Sequence, residues 1–285
     1  AAGGFTQVQS SLRWFVDNFS AIADWRATLL RVANFRRAVL NSDALYDVES
    51  HIAFTEGEPG GIGIEHLEIS SPAGCTMLEE TSVQIQAGER VLVVGETGAG
   101  KTLLFRAMAG LWPWGAGRIV RPAGESIFFV PRVAYLPPGS LREILAYPLK
   151  VARFEDRAMM DALRRVGLRR LSPMLEQTRR WNQELSADEQ QALAFARVLL
   201  HAPAWVLIDE VLDTLDADTR ARVVDVFNHE LKHTGVICIG RAPVPGMTCS
   251  RTLHLVKDPT IRRLVRKRER QRHDAHPHPH QPATV

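Results

Sequence analysis

The sequence predicts an α/β fold built on a parallel sheet with crossover helices, and three stretches of the chain carry that prediction. Arg90 to Val94 form a short apolar run that enters a glycine-rich loop, with helical spacing from Thr102 to Leu111 beyond it. Trp205 to Ile208 form a second apolar run, which ends on Asp209 and Glu210. Strand and helix patterns then alternate to His254, the order expected when parallel strands are joined by helices on the sheet faces.

The remaining elements follow in chain order. Phe5, Val8, Leu12, Phe15, Phe19 and Ile22 recur in steps of three and four and share one helical face; a second helical stretch is expected from Asp24 to about Leu40. This arm is either a helix packed on the body or an amphipathic segment belonging to a membrane domain. Gly57 to Gly63 read as a glycine-rich boundary, followed by β-rich runs such as Val83 to Ile85. Trp112 to Gly117 are rich in turn residues, and the spacing from Leu141 to Leu185 predicts a mostly helical insertion. Residues 262–285 are charged, rich in proline and poor in apolar side chains, which predicts a disordered tail. His273, His276, His278 and His280 within it allow metal contact as the alternative, or its basic residues contact with anionic lipid. The expected division is therefore 1–56, 57–261 and 262–285.

At 285 residues and 45% apolar content, the chain is long enough for one large domain with an appended segment. The formal charge of +3 belongs to the tail: without residues 262–285 there remain 28 basic and 30 acidic side chains. The folded body thus gives no general case for nucleic-acid binding. Cys75, Cys238 and Cys249 lack paired metal-ligand spacing and fit a reducing compartment. No run reaches the roughly 18 apolar residues of a membrane span, so the chain as given is expected to be soluble or peripheral. It begins at Ala1 rather than Met, and the expectation is a segment of something longer.

Gly95, Glu96, Thr97, Gly98, Ala99, Gly100, Lys101 and Thr102 fit the pattern G-x-x-x-x-G-K-[ST] between a strand and a helix, the context the motif requires. Its glycines let backbone N–H groups turn toward a phosphate, while Lys101 and the helix N-terminus supply positive potential. ATP and Mg²⁺ are the expected ligands, with the Thr102 hydroxyl and Asp209 toward the metal. Glu210 is the candidate to polarise the attacking water.

Between the loop and the two acids lies Leu185-Ser186-Ala187-Asp188-Glu189-Gln190-Gln191, continuing to Arg197, and after the acids comes Asp213-Thr214-Leu215-Asp216. This order resembles the ATP-binding domains of ABC transporters. Ala109 to Pro113, Tyr135 to Leu141 and the Glu189-Gln190-Gln191 spelling are similar to one branch of half-transporters, the peroxisomal fatty-acyl-CoA transporters and their bacterial relatives. The resemblance covers roughly Gly63 to His254. It implies a phosphate-loop NTPase core with a mostly helical signature subdomain and a small β subdomain, preceded by the helical arm. It also implies a head-to-tail dimer in which Ser186, Asp188 and Asp216 meet nucleotide across the interface, an own or associated transmembrane domain, and a place at the cytoplasmic face of the inner membrane. Trp112 and Tyr135 are expected to be packing residues.

The sequence departs from the family pattern at Arg132, where a glutamine is expected, at Asp188, where a glycine is expected, and at Arg241, where a histidine is expected. Two like charges about 5 Å apart repel by roughly 3 kcal/mol at an effective dielectric near 20, so Asp188 opposes closure around ATP. Arg132 and Arg241 are expected to pair with Asp188 or with phosphate. Arg241, the candidate catalytic partner of Glu210, accepts no proton. Two readings follow. One is an ATPase domain that powers transport; the other is a degenerate domain that binds ATP with little hydrolysis and regulates or pairs with a partner. A soluble phosphate-loop enzyme such as a kinase leaves the Ser186 and Asp216 segments unexplained.

Overall fold

A computed structural model describes residues 2–43, 51–258 and 260. The chain divides into two compact units, Ala1–Glu49 with Val265–Val285, and Ser50–Leu264. In the first, the described residues form one helix, α1 (Ala2–Asp43). The expected break near Asp24 does not occur, because no glycine or proline between Phe5 and Asp43 interrupts the hydrogen-bond ladder. Trp14, Trp25, Val32 and Phe35 are more than half exposed on this helix. The side chains of Phe5, Val8, Leu12 and Phe15, and the tail with its histidines, lie outside the described residues. No helix among the described residues is long and apolar enough to cross a membrane.

The second unit opens with strands β1 (Ala53–Gly57), β2 (Gly61–Ser71), β3 (Gly74–Leu78), β4 (Ser82–Gln86) and β5 (Arg90–Gly95). Helix α2 (Lys101–Met108) follows the loop, then β6 (Gly115–Pro122) and β7 (Ile127–Val130). The expected helical insertion contains a short ladder of β8 (Gly139–Ser140) with β9 (Thr178–Arg179), and helices α3 (Leu141–Ala146), α4 (Asp156–Arg165) and α5 (Trp181–Glu184). Beyond it come α6 (Ala187–His201), β10 (Trp205–Asp209), α7 (Val211–Thr214), α8 (Ala217–Asn228), β11 (Gly235–Gly240) and β12 (Arg251–Asp258).

Among the described residues the main sheet has ten strands in the order β1-β6-β2-β3-β12-β5-β11-β10-β7, with β4 joined to β2. From β12 to β7 every pairing is parallel, as the sequence predicts. The β-rich segment before the loop continues this sheet instead of standing apart: β3 pairs antiparallel with both β12 and β2, and β2 pairs antiparallel with β4 and β6. Residues 53–56, read from sequence as linker, belong to β1, which pairs with β6. The glycine-rich stretch from Gly57 to Gly63 is thus a connection inside one sheet, turning at Gly60 with φ of 91°. The compact unit accordingly begins at Ser50.

Strands β5, β10 and β11 are buried on both faces, so their alternation feeds two cores. Val91, Val93, Trp205, Leu207, Ile237 and Ile239 pack with Leu104 and Phe105 of α2. Leu92, Val206, Ile208, Val236 and Cys238 pack instead with Leu193 and Phe195 of α6 and Val223 and Phe227 of α8. A sheet covered on both faces exposes only its strand ends, and the loops that leave β5, β7, β10 and β11 emerge at one edge. Trp112 is half-buried with its indole N–H donated to the Ser70 carbonyl, whereas Tyr135 is exposed and its ring meets Tyr147 edge-on.

Candidate nucleotide-binding site

Where β5 ends, the chain turns through left-handed conformations at Gly98 (φ 86°) and Gly100 (φ 98°) before α2 begins at Lys101. A side chain at Gly100 would collide with the Thr76 hydroxyl, while at Gly98 a Cβ would meet open space. Thr76, on β3, donates its hydroxyl to the Ala99 carbonyl at 3.0 Å and so ties the loop to the antiparallel half of the sheet. Ala99 N–H donates to the Glu96 carbonyl at 3.1 Å, closing the turn. The residues from Gly95 to Thr102 therefore form a backbone cradle at a helix N-terminus, the geometry that attracts phosphate.

Lys101 is buried, and its ammonium donates to the carbonyls of Gly95 at 2.8 Å and Glu96 at 3.2 Å. It also lies 3.3 Å from Glu210 Oε1. Glu210 adopts a left-handed conformation (φ 54°) directly after β10, with its N–H donated to the Ile239 carbonyl at 2.7 Å. A non-glycine residue held there marks a backbone fixed by its surroundings. Arg132 Nη1 is 3.5 Å from Glu210 Oε2, and Arg241 Nε is 3.9 Å from Glu210 Oε1. Among the described residues, three cationic side chains thus converge on one carboxylate. Within one copy the arginines meet Glu210 because β7, β10 and β11 are neighbours, and the residues following them share one sheet edge.

Two residues that sequence reasoning missed hold these arginines by their backbones. Gln191 of α6 donates its amide to the Arg132 carbonyl at 2.7 Å, and Asp213 accepts the Arg241 N–H at 3.0 Å. Both lie within segments quoted above, but only the fold brings them to Arg132 and Arg241. The loop, Arg132, Glu210 and Arg241 line an open cavity of about 280 Å³.

Asp209 ends β10 almost completely buried, and its Oδ1 has no hydrogen-bond partner among the described residues. Burial pushes its carboxyl above the usual aspartate range, opposed by a hydrogen bond from the Thr102 hydroxyl. An orphaned carboxylate oxygen beside a hydroxyl is a donor set that suits a hard cation.

Ser186, Asp188 and Asp216 do not line this cavity. Ser186 caps α6, its hydroxyl accepting the Glu189 N–H at 3.2 Å while Glu189 Oε2 accepts the Ser186 N–H at 3.0 Å. Asp188 lies half-buried in the first turn of that helix. Asp216 caps α8 through the N–H groups of Asp218 and Thr219, which hold its carboxyl below the usual range.

A buried parallel strand, a glycine loop with its lysine at a helix start, and two acids ending a second strand of the same sheet define a phosphate-loop nucleotide-binding domain. The sequence profile of the ABC transporter family matches residues 78–213, and this segment is an ABC transporter ATP-binding domain. An uncharacterized ABC transporter ATP-binding protein of Haemophilus influenzae is 34% identical over 182 residues, covering 64% of this chain and 31% of that protein. ABC transporter D family member 1 of Arabidopsis thaliana is 30% identical over 193 residues, covering 64% of this chain and 14% of that protein. The chain therefore spans about a third or less of the length of these two relatives. A solved structure of a putative ABC transporter ATP-binding protein from Pyrococcus furiosus shares the fold, with a TM-score of 0.55 at 23% identity over 70% of this chain and 100% of that one.

Proposed function

We propose that this ATP-binding domain couples the binding and slow hydrolysis of Mg-ATP to the movement of membrane-spanning segments. The convergence of Lys101, Glu210 and the phosphate loop on one cavity, beside the orphaned oxygen of Asp209, carries the reading. Backbone N–H groups from Gly95 to Gly100 receive the phosphates, and Lys101 exchanges loop carbonyls for the β and γ oxygens. Thr102 and Asp209 are the residues that would hold Mg²⁺. The cation supplies neutralisation of phosphate charge. Glu210 orients the attacking water and takes its proton.

A second copy docked head to tail would present Ser186, Asp188 and Asp216 to this cavity, which none of them lines within one copy. In this reading the N-terminal helical arm is the end of a membrane domain, the sheet-bearing unit from Ser50 works at the cytoplasmic face of the inner membrane, and residues 262–285 form a basic, histidine-rich tail. The exposed Trp14, Trp25 and Phe35 of α1 support a partner for that helix.

Turnover is slow for a specific reason: Arg132 and Arg241 flank Glu210, and neither guanidinium accepts a proton. Asp188 adds a negative charge where the second copy would close. Steady-state ATPase measurement of the full-length transporter tests this. Restoring the family residues together (Arg132→Gln, Asp188→Gly, Arg241→His) is expected to raise the rate by about tenfold or more, the scale of one general-base or oxyanion contribution. A parent enzyme already as fast as that variant, and silenced by Glu210→Gln, would overturn slow turnover.

A further inference from the structure

We propose that Thr76 is a positioning residue for nucleotide binding: by holding the Ala99 carbonyl, its hydroxyl turns the Gly100 N–H into the cavity and keeps the loop from rotating to a form that repels phosphate. The inference rests on residues 95–102 being the phosphate site. Three consecutive peptides of the loop are each held by a hydrogen bond. Ala99 N–H closes on the Glu96 carbonyl at 3.1 Å, and the Gly100 carbonyl accepts the Leu104 N–H at 2.9 Å as the first turn of α2. Backbone groups thus fix the peptides on either side. The peptide between them, joining Ala99 to Gly100, is fixed by a side chain, because its carbonyl accepts the Thr76 hydroxyl at 3.0 Å.

The direction of that bond sets the direction of a phosphate donor. A trans peptide is planar, and its C=O and N–H point opposite ways. Gly100 lines the cavity, whereas Thr76 is 1% exposed and does not. With the carbonyl drawn toward Thr76, the N–H faces the cavity. Gly100 sits at φ 98° and, having no Cβ, takes negative φ as readily, so the Ala99–Gly100 peptide can rotate as a unit at little steric cost. The rotated peptide would aim a carbonyl oxygen at the place a phosphate oxygen must take. It also lacks the Thr76 hydrogen bond, which therefore biases the nucleotide-free loop toward the receptive form. The competing explanation is that Thr76 only adds stability by joining β3 to the loop. Thr234 supplies the comparison: it is buried, donates its hydroxyl to the Pro203 carbonyl at 3.0 Å, and precedes β11 at the strand end away from Arg241 and the cavity.

Calorimetry of the 285-residue chain with MgATP and MgADP, alongside urea midpoints of the same proteins, separates the two. Thr76→Val, close in shape but without the donor, is expected to weaken both nucleotides about tenfold, the scale of one buried carbonyl left without its donor. The two losses should be equal, since the loop serves phosphates that both nucleotides carry. Thr76→Ala should lose as much, while Thr76→Ser, which keeps the hydroxyl, should stay within about twofold of the parent. Thr234→Val should lower the urea midpoint comparably and leave both affinities within about twofold. Thr76→Val binding as tightly as the parent, Thr76→Ser falling as far as Thr76→Val, or an equal affinity loss in Thr234→Val would overturn the positioning role while leaving the phosphate site intact. A parent chain that binds neither nucleotide would overturn the site itself.

Discussion

Asp209 shows how a single residue records the demands of a site. Its burial opposes ionisation, Thr102 offsets that only in part, and one oxygen remains without a partner. Because its carboxyl is raised above the usual value, the native state keeps a proton at pH values where the unfolded chain has lost it. Stability from this group is then present below 3.8, the ordinary value, and falls as pH rises through the raised native value. Asp209→Asn should flatten that part of the profile, read as urea midpoints across a pH series without Mg²⁺; equal slopes for parent and variant would contradict it. Lys101, Asp209 and Glu210 were legible in the sequence because a short motif and a strand end place them. Thr76 was not, since nothing in the run Gly74 to Leu78 shows that a distant loop carbonyl will need its hydroxyl. The engagement of Glu210 by Arg132 and Arg241 was equally hidden, because it depends on strand order and not on spacing along the chain.

At the scale of elements, α6 is the strut that fixes the site from outside. It starts at the Ser186 capping box, reaches the chain after β7 through Gln191, and ties α3 and Tyr135 through Arg197. Arg197 is buried, with no carboxylate beside it among the described residues: its guanidinium donates to the carbonyls of Ile144 at 2.9 Å and Tyr135 at 3.1 Å and lies over the Tyr147 ring. Burial pulls its pKa down to about 10. Replacing it by methionine keeps much of the volume but leaves two carbonyls without a donor, so Arg197→Met should cost about 2–4 kcal/mol in urea unfolding. A cost under about 0.5 kcal/mol would show that α6 does not depend on this link. The helices of this region were legible from spacing, whereas β8 and β9 were not, because two residues carry no periodicity. In α1 the helical pattern was legible, but its continuity followed from the absence of breakers and not from the apolar spacing.

For the whole molecule, alternating strands and helices announced the parallel half of the sheet, and the matching segment of an ABC transporter ATP-binding domain agrees with it. The antiparallel half was less legible. Strand β2 carries an irregularity between Glu65 and Glu68, with His66 at φ 47°, which disrupts the alternation that would reveal a long strand. Strand β1, which pairs with β6, falls in residues whose composition reads as linker. What the sheet accomplishes is to carry Lys101, Arg132, Glu210 and Arg241 from separate parts of the chain to one edge, around one cavity. The central claim is that this cavity is the ATP site. Calorimetric titration of MgATP into the parent chain and into Lys101→Ala tests it most directly: the parent should bind and the variant should lose at least about a hundredfold in affinity, since a buried cation meeting two phosphates accounts for about 2.7 kcal/mol or more. Equal affinity in the two proteins would contradict it.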